Sequence, residues 1–453
     1  MRLFSVTMLA GTLLLGSPAW AADHSHHGMP MATPSPAPKP SPSPMAPPSA
    51  SPSAAPSAPD DMPMDHAHMD EPMAMPADPL MARMPALGSG TSLQPLTSPM
   101  RAWMLHRDGW MWMFHGDVVG GYDYQGGARG AQSWVAENWQ MAMGSRVLGP
   151  GILDLRAMTS LEALTTPPGG TPQLFQTGES YQGVPLRDKQ HPHDLFMELA
   201  ARYSWALADQ TSLFVYGGFP GEPALGPEAF MHRPSAMDNH WAPLGHHLQD
   251  STHITFGVAT AGVRWHALQL EASAFNGKEP DENRFNFDVG PLDSWSTRLS
   301  WAPDPAWTAQ VSFGHLASPE ALEPGPIDRT TASVMHVDAT AWGRLATSLI
   351  WGQNVQSARA LQSYGLEAQL DRDLLTHLYG RFELVDKAEL GLPTPDHRIG
   401  ALTLGGVRDL VPNVGLGADA TVYSQDAEVA AAYGFNPVAF RIYLRLRPPE
   451  LRL

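Results

Sequence analysis

Val438-Ala439-Phe440-Arg441-Ile442-Tyr443-Leu444-Arg445-Leu446-Arg447 is the stretch from which the fold is read. Val438, Phe440, Ile442, Leu444 and Leu446 alternate with Arg441, Tyr443, Arg445 and Arg447. Successive side chains of a strand point to opposite faces, so this segment has one apolar face and one polar, charged face. The same period runs through Thr297–Trp301, Trp307–Phe313, Tyr364–Leu370 and Val414–Val422. A soluble sandwich alternates in the same way, so the lengths of the connections must decide.

Strand-like runs fall near 110–122, 134–144, 152–163, 194–207, 211–218, 252–265, 267–276, 294–302, 306–315, 330–341, 344–353, 361–370, 374–385, 398–408, 413–423 and 437–447. Joins after the even-numbered runs are short, as in Ala208-Asp209-Gln210, Pro303-Asp304-Pro305 and Asp371-Arg372-Asp373. Most others are longer, above all 164–193 and 219–251, with 354–360 a modest exception. Short turns at one end and long loops at the other predict an all-β, antiparallel transmembrane barrel of about sixteen strands, within a range of roughly 14–18, with both termini in the periplasm. Trp205, Trp265, Trp301, Trp307 and Trp342 sit near strand ends, where an interfacial girdle is expected. Asp154, Arg156, Glu162, Glu198, Arg202, Glu271, Arg298, Glu367, Arg381, Glu383, Asp419, Arg441 and Arg445 are expected to face the lumen.

Three regions are expected: a signal peptide at 1–21, a disordered tail at 22–100 and the barrel at 101–453. Arg2, the apolar run Met8–Leu15 and Ala19-Trp20-Ala21 form the export signal. No later stretch has the roughly 20 apolar residues of a spanning helix. A formal charge of −17 with Lys only at 39, 189, 278 and 387 argues against nucleic acid as a partner and suits cation attraction. The absence of Cys excludes disulfides and thiolate metal sites.

Residues 32–59 are almost entirely Pro, Ala and Ser and cannot bury a core. They are flanked by His24, His26, His27, Met29 and Met31 on one side. On the other come Met62, Met64, His66, His68, Met69, Met73 and Met75. Thioether and imidazole donors suit Cu(I), Ag(I) or Cu(II), and a flexible strand can wrap such an ion without a preformed site. Low-complexity drift is the plain alternative.

The two long loops carry a second set of donors: His191 and His193 in the first, then His232, His240, His246 and His247, with His253 opening the next strand. These are seven of the nineteen histidines, and their loops flank adjacent strands, so their bases are expected to be close. Two readings stay open, a bound metal or polar loops packing into the barrel mouth. No His-Glu-x-x-His is present.

A Met/His- and Pro-rich exported tail before a barrel resembles the copper-resistance B family of outer-membrane proteins. Gln190-His191-Pro192-His193-Asp194 and Met231-His232-Arg233-Pro234 are similar to stretches of outer-membrane proteins found with heavy-metal efflux systems. The resemblance implies copper or silver handling among outer-membrane lipid, with periplasmic metal carriers or efflux components as partners and no organic cofactor. The alternative is a general diffusion porin with an incidental tail. An enzyme is not expected, because Ser251 and His253 stand in no recognised motif.

Overall fold

The computed structural model describes residues 86–451. The expected signal peptide and the tail donors at positions 24–75 lie outside the described residues.

The strands are β1 (Trp103–Arg107), β2 (Trp110–Gln125), β3 (Gln132–Leu148), β4 (Gly151–Thr159), β5 (Thr171–Tyr181), β6 (Val184–Gln190), β7 (Phe196–Ala208), β8 (Thr211–Gly218), β9 (Val258–Trp265) and β10 (Leu268–Phe275). They continue as β11 (Ser294–Trp301), β12 (Trp307–Leu316), β13 (Ile327–Thr340), β14 (Gly343–Gln356), β15 (Arg359–Asp371), β16 (Thr376–Lys387), β17 (His397–Val411), β18 (Val414–Ser424) and β19 (Val438–Leu446). Every barrel strand is antiparallel to its neighbours, and β19 returns to β2 from Ala439↔Gln125 to Leu446↔Val118. Leaving out β1, β5 and β6, sixteen strands close the barrel, each overlapping one of the expected runs. β1 fills the edge of β2 below the end of β19, from Trp103↔Phe114 to Arg107↔Trp110.

The alternation has the sense that lipid requires. On β19, Phe440, Ile442, Leu444 and Leu446 are 38–52% exposed, while Arg441 and Arg445 are fully buried. Apolar side chains out and charges in is the reverse of a water-soluble barrel, and closure leaves no unpaired edge in hydrocarbon. The chain is an outer-membrane β-barrel. Trp265, Trp301, Trp307 and Trp342 are exposed and Trp205 half-buried, all at the short-turn end. A second girdle at the loop end includes the exposed Trp134 and Trp295, and Tyr124 stacked on Phe440 at 4.9 Å.

The lumen is filled with chain. The β8–β9 loop, residues 219–257, runs down inside the barrel and back. Gly226 N–H donates to Ser312 Oγ, Ser235 Oγ meets Ser348 Oγ at 2.6 Å, and Trp241 Nε1 donates to Asp419. Its lowest point, Asp238, is held by Arg445 and Arg447 near the short turns. At Gly352 a Cβ would lie 2.1 Å from the Leu248 carbonyl oxygen, so this close passage of plug against wall requires glycine. β5 and β6 form a separate hairpin, whose Leu174 and Phe175 are buried with Val385, Ile399, Tyr423 and Tyr433. Tyr433 ends a short helix, Ala427–Tyr433, capped by Asp426.

Three expectations need correction. The segment up to residue 100 was expected to be structureless, but Ala86–Gln94 is a tight hairpin (Leu87↔Leu93) inserted into the lumen. Arg156 donates to the Gly88 and Gly90 carbonyls, Gln269 to that of Thr91, and Arg298 to Thr91 Oγ1; lumen donors thus replace the water that such a backbone otherwise needs. His253 does not open a strand: it ends a 3-10 turn inside the lumen, and β9 begins at Val258. Glu162 stands in a four-residue helix (Glu162–Thr165) after β4, which ends at Thr159.

Glu228 accepts from the Ser89 N–H at the hairpin tip. Burial pushes Glu222 up to about 8, and burial with the Glu222 charge does the same to Glu228. A carboxyl raised in the docked state stabilises docking fully below its free pKa and loses that contribution as pH rises through the docked value. Docking of residues 86–94 is therefore expected to weaken from about pH 4.5 to about pH 8 and then level off. Glu228→Gln should remove its share of that dependence and leave that of Glu222, whereas Glu222→Gln/Glu228→Gln should flatten it, read as the rate of protease nicking near residue 90 in the micelle-embedded protein.

Candidate functional site

The imidazoles expected in the long loops are drawn together by the plug. The segment after β6 supplies His191 and His193, and the plug supplies His246 and His247 on a single helical turn (His246–Gln249) and His253 from the 3-10 turn. Ring centroids run 193–253 at 5.5 Å, 253–246 at 5.1 Å, 246–247 at 5.3 Å, 247–191 at 6.4 Å and 191–193 at 6.1 Å. Five of the seven loop histidines thus form a closed circuit. A Cβ on Gly178, which has φ +122°, would lie 2.4 Å from the His247 ring, so β5 must pass here as glycine.

Each ring is backed by an acid or a carbonyl. His193 Nδ1 meets Glu162 at 2.8 Å, His191 Nε2 meets Glu179 at 2.8 Å, and His246 Nδ1 meets Asp250 at 2.7 Å. His247 Nδ1 lies 3.4 Å from Glu279, and His253 Nδ1 lies 2.9 Å from the Asp250 carbonyl. An ionised carboxylate only accepts, so the nitrogen facing it carries the proton. The buried Nε2 atoms of His193 and His253 have no hydrogen-bond partner. Acid or carbonyl on one nitrogen with the other free is how a metal-ligating histidine is oriented.

Charge separates the five rings, and burial lowers His191 despite Glu179. Burial lowers His253 far below the usual imidazole range and His246 to about 4, outweighing Asp250 in both, so both are neutral. Burial also lowers His193 and His247, but Glu162 and Glu279 respectively more than offset it, and both end raised. Among the described residues no three donor atoms of the circuit lie within 4.8 Å, so an ion would have to draw the rings in.

The other two loop histidines stand apart. His232 packs on Trp139 at 4.7 Å and on His115, a wall residue, at 6.2 Å; burial lowers it to about 3. His240 lies against Tyr443, its buried Nε2 without a partner. A cavity of about 280 Å³ runs past His191 and His193, then His232 and His115, and reaches Met100 and Met104 near the short turns. Its walls carry methionines that the loop-centred reading passed over, among them Met111, Met113, Met141 and Met143. The signal was Met-x-Met on β2 and again on β3, at a spacing that turns both residues of each pair into a lumen otherwise lined with polar groups.

Asp238, Asp371 and His377 form a buried triad within 4.8 Å. Arg445 and Arg447 already neutralise Asp238, and Arg344 pairs Asp371 at 2.7 Å, so the triad is a structural ion network. Ser251 Oγ accepts from Arg329 Nη1 at 2.9 Å.

No protein-family model matches the chain, and no curated protein matches it. Among solved structures it is similar in outline to Salmonella typhi OmpF in complex with daunomycin (11% identity, 76% of this chain and 100% of that one, TM-score 0.48). It is also similar to an anion-selective porin from Comamonas acidovorans (10%, 75% and 99%, TM-score 0.48) and to Pseudomonas putida OprB (9%, 74% and 94%, TM-score 0.46). At these values the likeness concerns barrel outline and carries no substrate.

What holds the circuit in the lumen is Arg233, fully buried. It gives two hydrogen bonds of 2.9 Å to Glu367 on β15, one of 2.6 Å to Asp250 and one to the Glu228 carbonyl. Removing one partner of a buried pair leaves an uncompensated charge, at a cost of about 3–5 kcal/mol. Arg233→Met should free the plug while the hydrogen-bonded wall survives. The expected result is a severalfold rise in single-channel K⁺ conductance, with heat-resistant migration on gels unchanged.

Proposed function

We propose that this outer-membrane barrel binds and passes soft to borderline metal cations, Cu(I), Ag(I) or Cu(II), through a lumen in which imidazole and thioether side chains replace open water. The observation that carries the reading is the single cavity running from His191 and His193 past His115 and His232 to Met100 and Met104. Soft and borderline donors along one path suit these ions and offer little to K⁺ or Mg²⁺. The acids behind the rings, Glu162, Glu179 and Asp250, supply countercharge and orient the imidazoles. In this reading the Met/His tail captures ions in the periplasm and exchanges them with soluble carriers or efflux components.

The barrel alone supports the coarser role of an outer-membrane channel, which it shares with the general diffusion porin. The filled lumen favours the selective reading: residues 219–257 and 86–94 occupy the space that hydrated solutes would need.

Flux into liposomes separates the two. A metal-selective barrel is expected to admit Ag(I) or Cu(I) with saturation, and its small K⁺ current should be blocked by micromolar Ag(I), at the order of concentration set by ordinary site affinities. An ohmic K⁺ current indifferent to Ag(I) would establish the porin. Glu162→Gln should cut Cu(II) affinity roughly 10–100-fold, as loss of a carboxylate behind a ligating imidazole does; calorimetry on the micellar protein reads this directly.

A further inference from the structure

The inner wall at β2 and β3 carries a cluster with unusual chemistry for its place. Met113 on β2 is directly opposite Met143 on β3, and His115 is directly opposite Met141. On the next strand Met158 is opposite Met141. Directly opposed residues have Cβ atoms about 4.5–5.5 Å apart, within reach of flexible thioether chains. The plug closes the cluster from the lumen side, with Met231 packed against it and the His232 ring over Trp139 and His115. The buried His115 Nε2 has no hydrogen-bond partner.

Packing alone does not call for methionine here, and the same barrel supplies the comparison. Elsewhere the plug, the loop-end hairpin and the wall meet through Leu174, Phe175, Leu244, Leu248, Val385 and Ile399, or through Tyr216, Leu225, Val258, Phe275 and Leu316. Neither of those clusters contains methionine among its core residues. The β2–β4 cluster has Met141, Met143, Met158 and Met197 in its core beside Ile254 and Phe256, with Met113, Trp139 and Met231 packed against it. The same structural task is done without methionine at two places, whereas at the third four of the six core residues are thioethers.

We propose that Met113, Met141, Met143, Met231, His115 and His232 form a binding site for a monovalent soft cation, Ag(I) or Cu(I), on the barrel wall, separate from the five-imidazole circuit. The site deepens the metal-handling reading and rests on it. Thioethers bind closed-shell soft ions and are poor ligands for Zn(II) or Mg(II), so the wall site selects the ion class while the circuit accepts borderline ions. Because Met is unbranched and adaptable, the donors can close on an ion without moving the strands. Arg156, opposite Met143, turns its Nη1 to the Gly88 and Gly90 carbonyls and lies 3.8 Å from Glu198, and the carboxyls of Asp117, Glu137 and Glu228 border the same cavity.

The test uses the full-length protein in micelles with ¹³C-labelled methionine methyls, the wall signals assigned by single Met→Leu substitutions. Such swaps nearly conserve volume and leave the barrel folded, which heat-resistant gel migration checks. Ag(I) is expected to shift the Met113, Met141, Met143 and Met231 methyl signals, and Zn(II) to leave them in place. In Met141→Leu/Met143→Leu, the Ag(I) concentration needed to shift Met113 and Met231 should rise at least about tenfold. Wall methyls that stay unmoved while Ag(I) saturates other methionines would overturn the site. Zn(II) or Cu(II) binding at the imidazoles under those conditions would leave the metal-handling reading standing, whereas no metal binding anywhere in the barrel would remove both.

Discussion

Buried arginine is the constraint on which the rest of the structure depends. Arg233, Arg298, Arg329, Arg441 and Arg445 are all but inaccessible to water, and each must find carboxylates or carbonyls inside the barrel. The wall supplies some, such as Glu271 for Arg298 and Asp419 for Arg441. The plug supplies the others: Arg298 bonds the Gly226 carbonyl, Arg329 bonds that of His247, and Arg445 pairs with Asp238. Wall and plug therefore satisfy each other's buried groups. A lumen with these charges and no plug would hold unpaired ions, and a plug without them would carry unsatisfied backbone.

That mutual dependence explains how two distant stretches of chain build one imidazole circuit. His191 and His193 come in beside β4 through Glu162, whose carboxylate also accepts from the Asn138 and His193 N–H groups. His246 and His253 are placed by Asp250, which is itself fixed by Arg233. The circuit thus inherits its geometry from the ion pairs beneath it. The ion pairs thus fix which nitrogen of His193, His246 and His253 faces an acid or a carbonyl.

The sixteen strands were legible because each is a local pattern: Val438 to Leu446 shows its two faces without reference to any other residue, and turns such as Asp371-Arg372-Asp373 mark the ends. β5 escaped because Phe175 at φ +65° and Gly178 at φ +122° break the alternation, and its pairing with β6 is irregular. The plug escaped for another reason. Arg233 meets Glu367 across 134 residues, and nothing in either neighbourhood names the other. The loop histidines could be gathered as candidates, yet only the structure divides them into five that meet, one against the wall and one beside Tyr443. The tail donors lie outside the described residues.

The methionines teach the sharper lesson. Met-x-Met on β2 and β3 reads at first as the apolar half of an alternation, which would place it on lipid. Their neighbours refute that: Trp112 and Phe114 fall between Met111, Met113 and His115, and Met113 and His115 share the face of Asp117. Asp117 must point inward, so the thioethers point inward with it. On a barrel strand a residue's face is set by the least negotiable residue of the same parity. Met113, Met141 and Met143 are therefore lumen residues by the same argument that makes Arg441 and Arg445 lumen residues, and a lumen is where side-chain chemistry, rather than greasiness, decides what is retained.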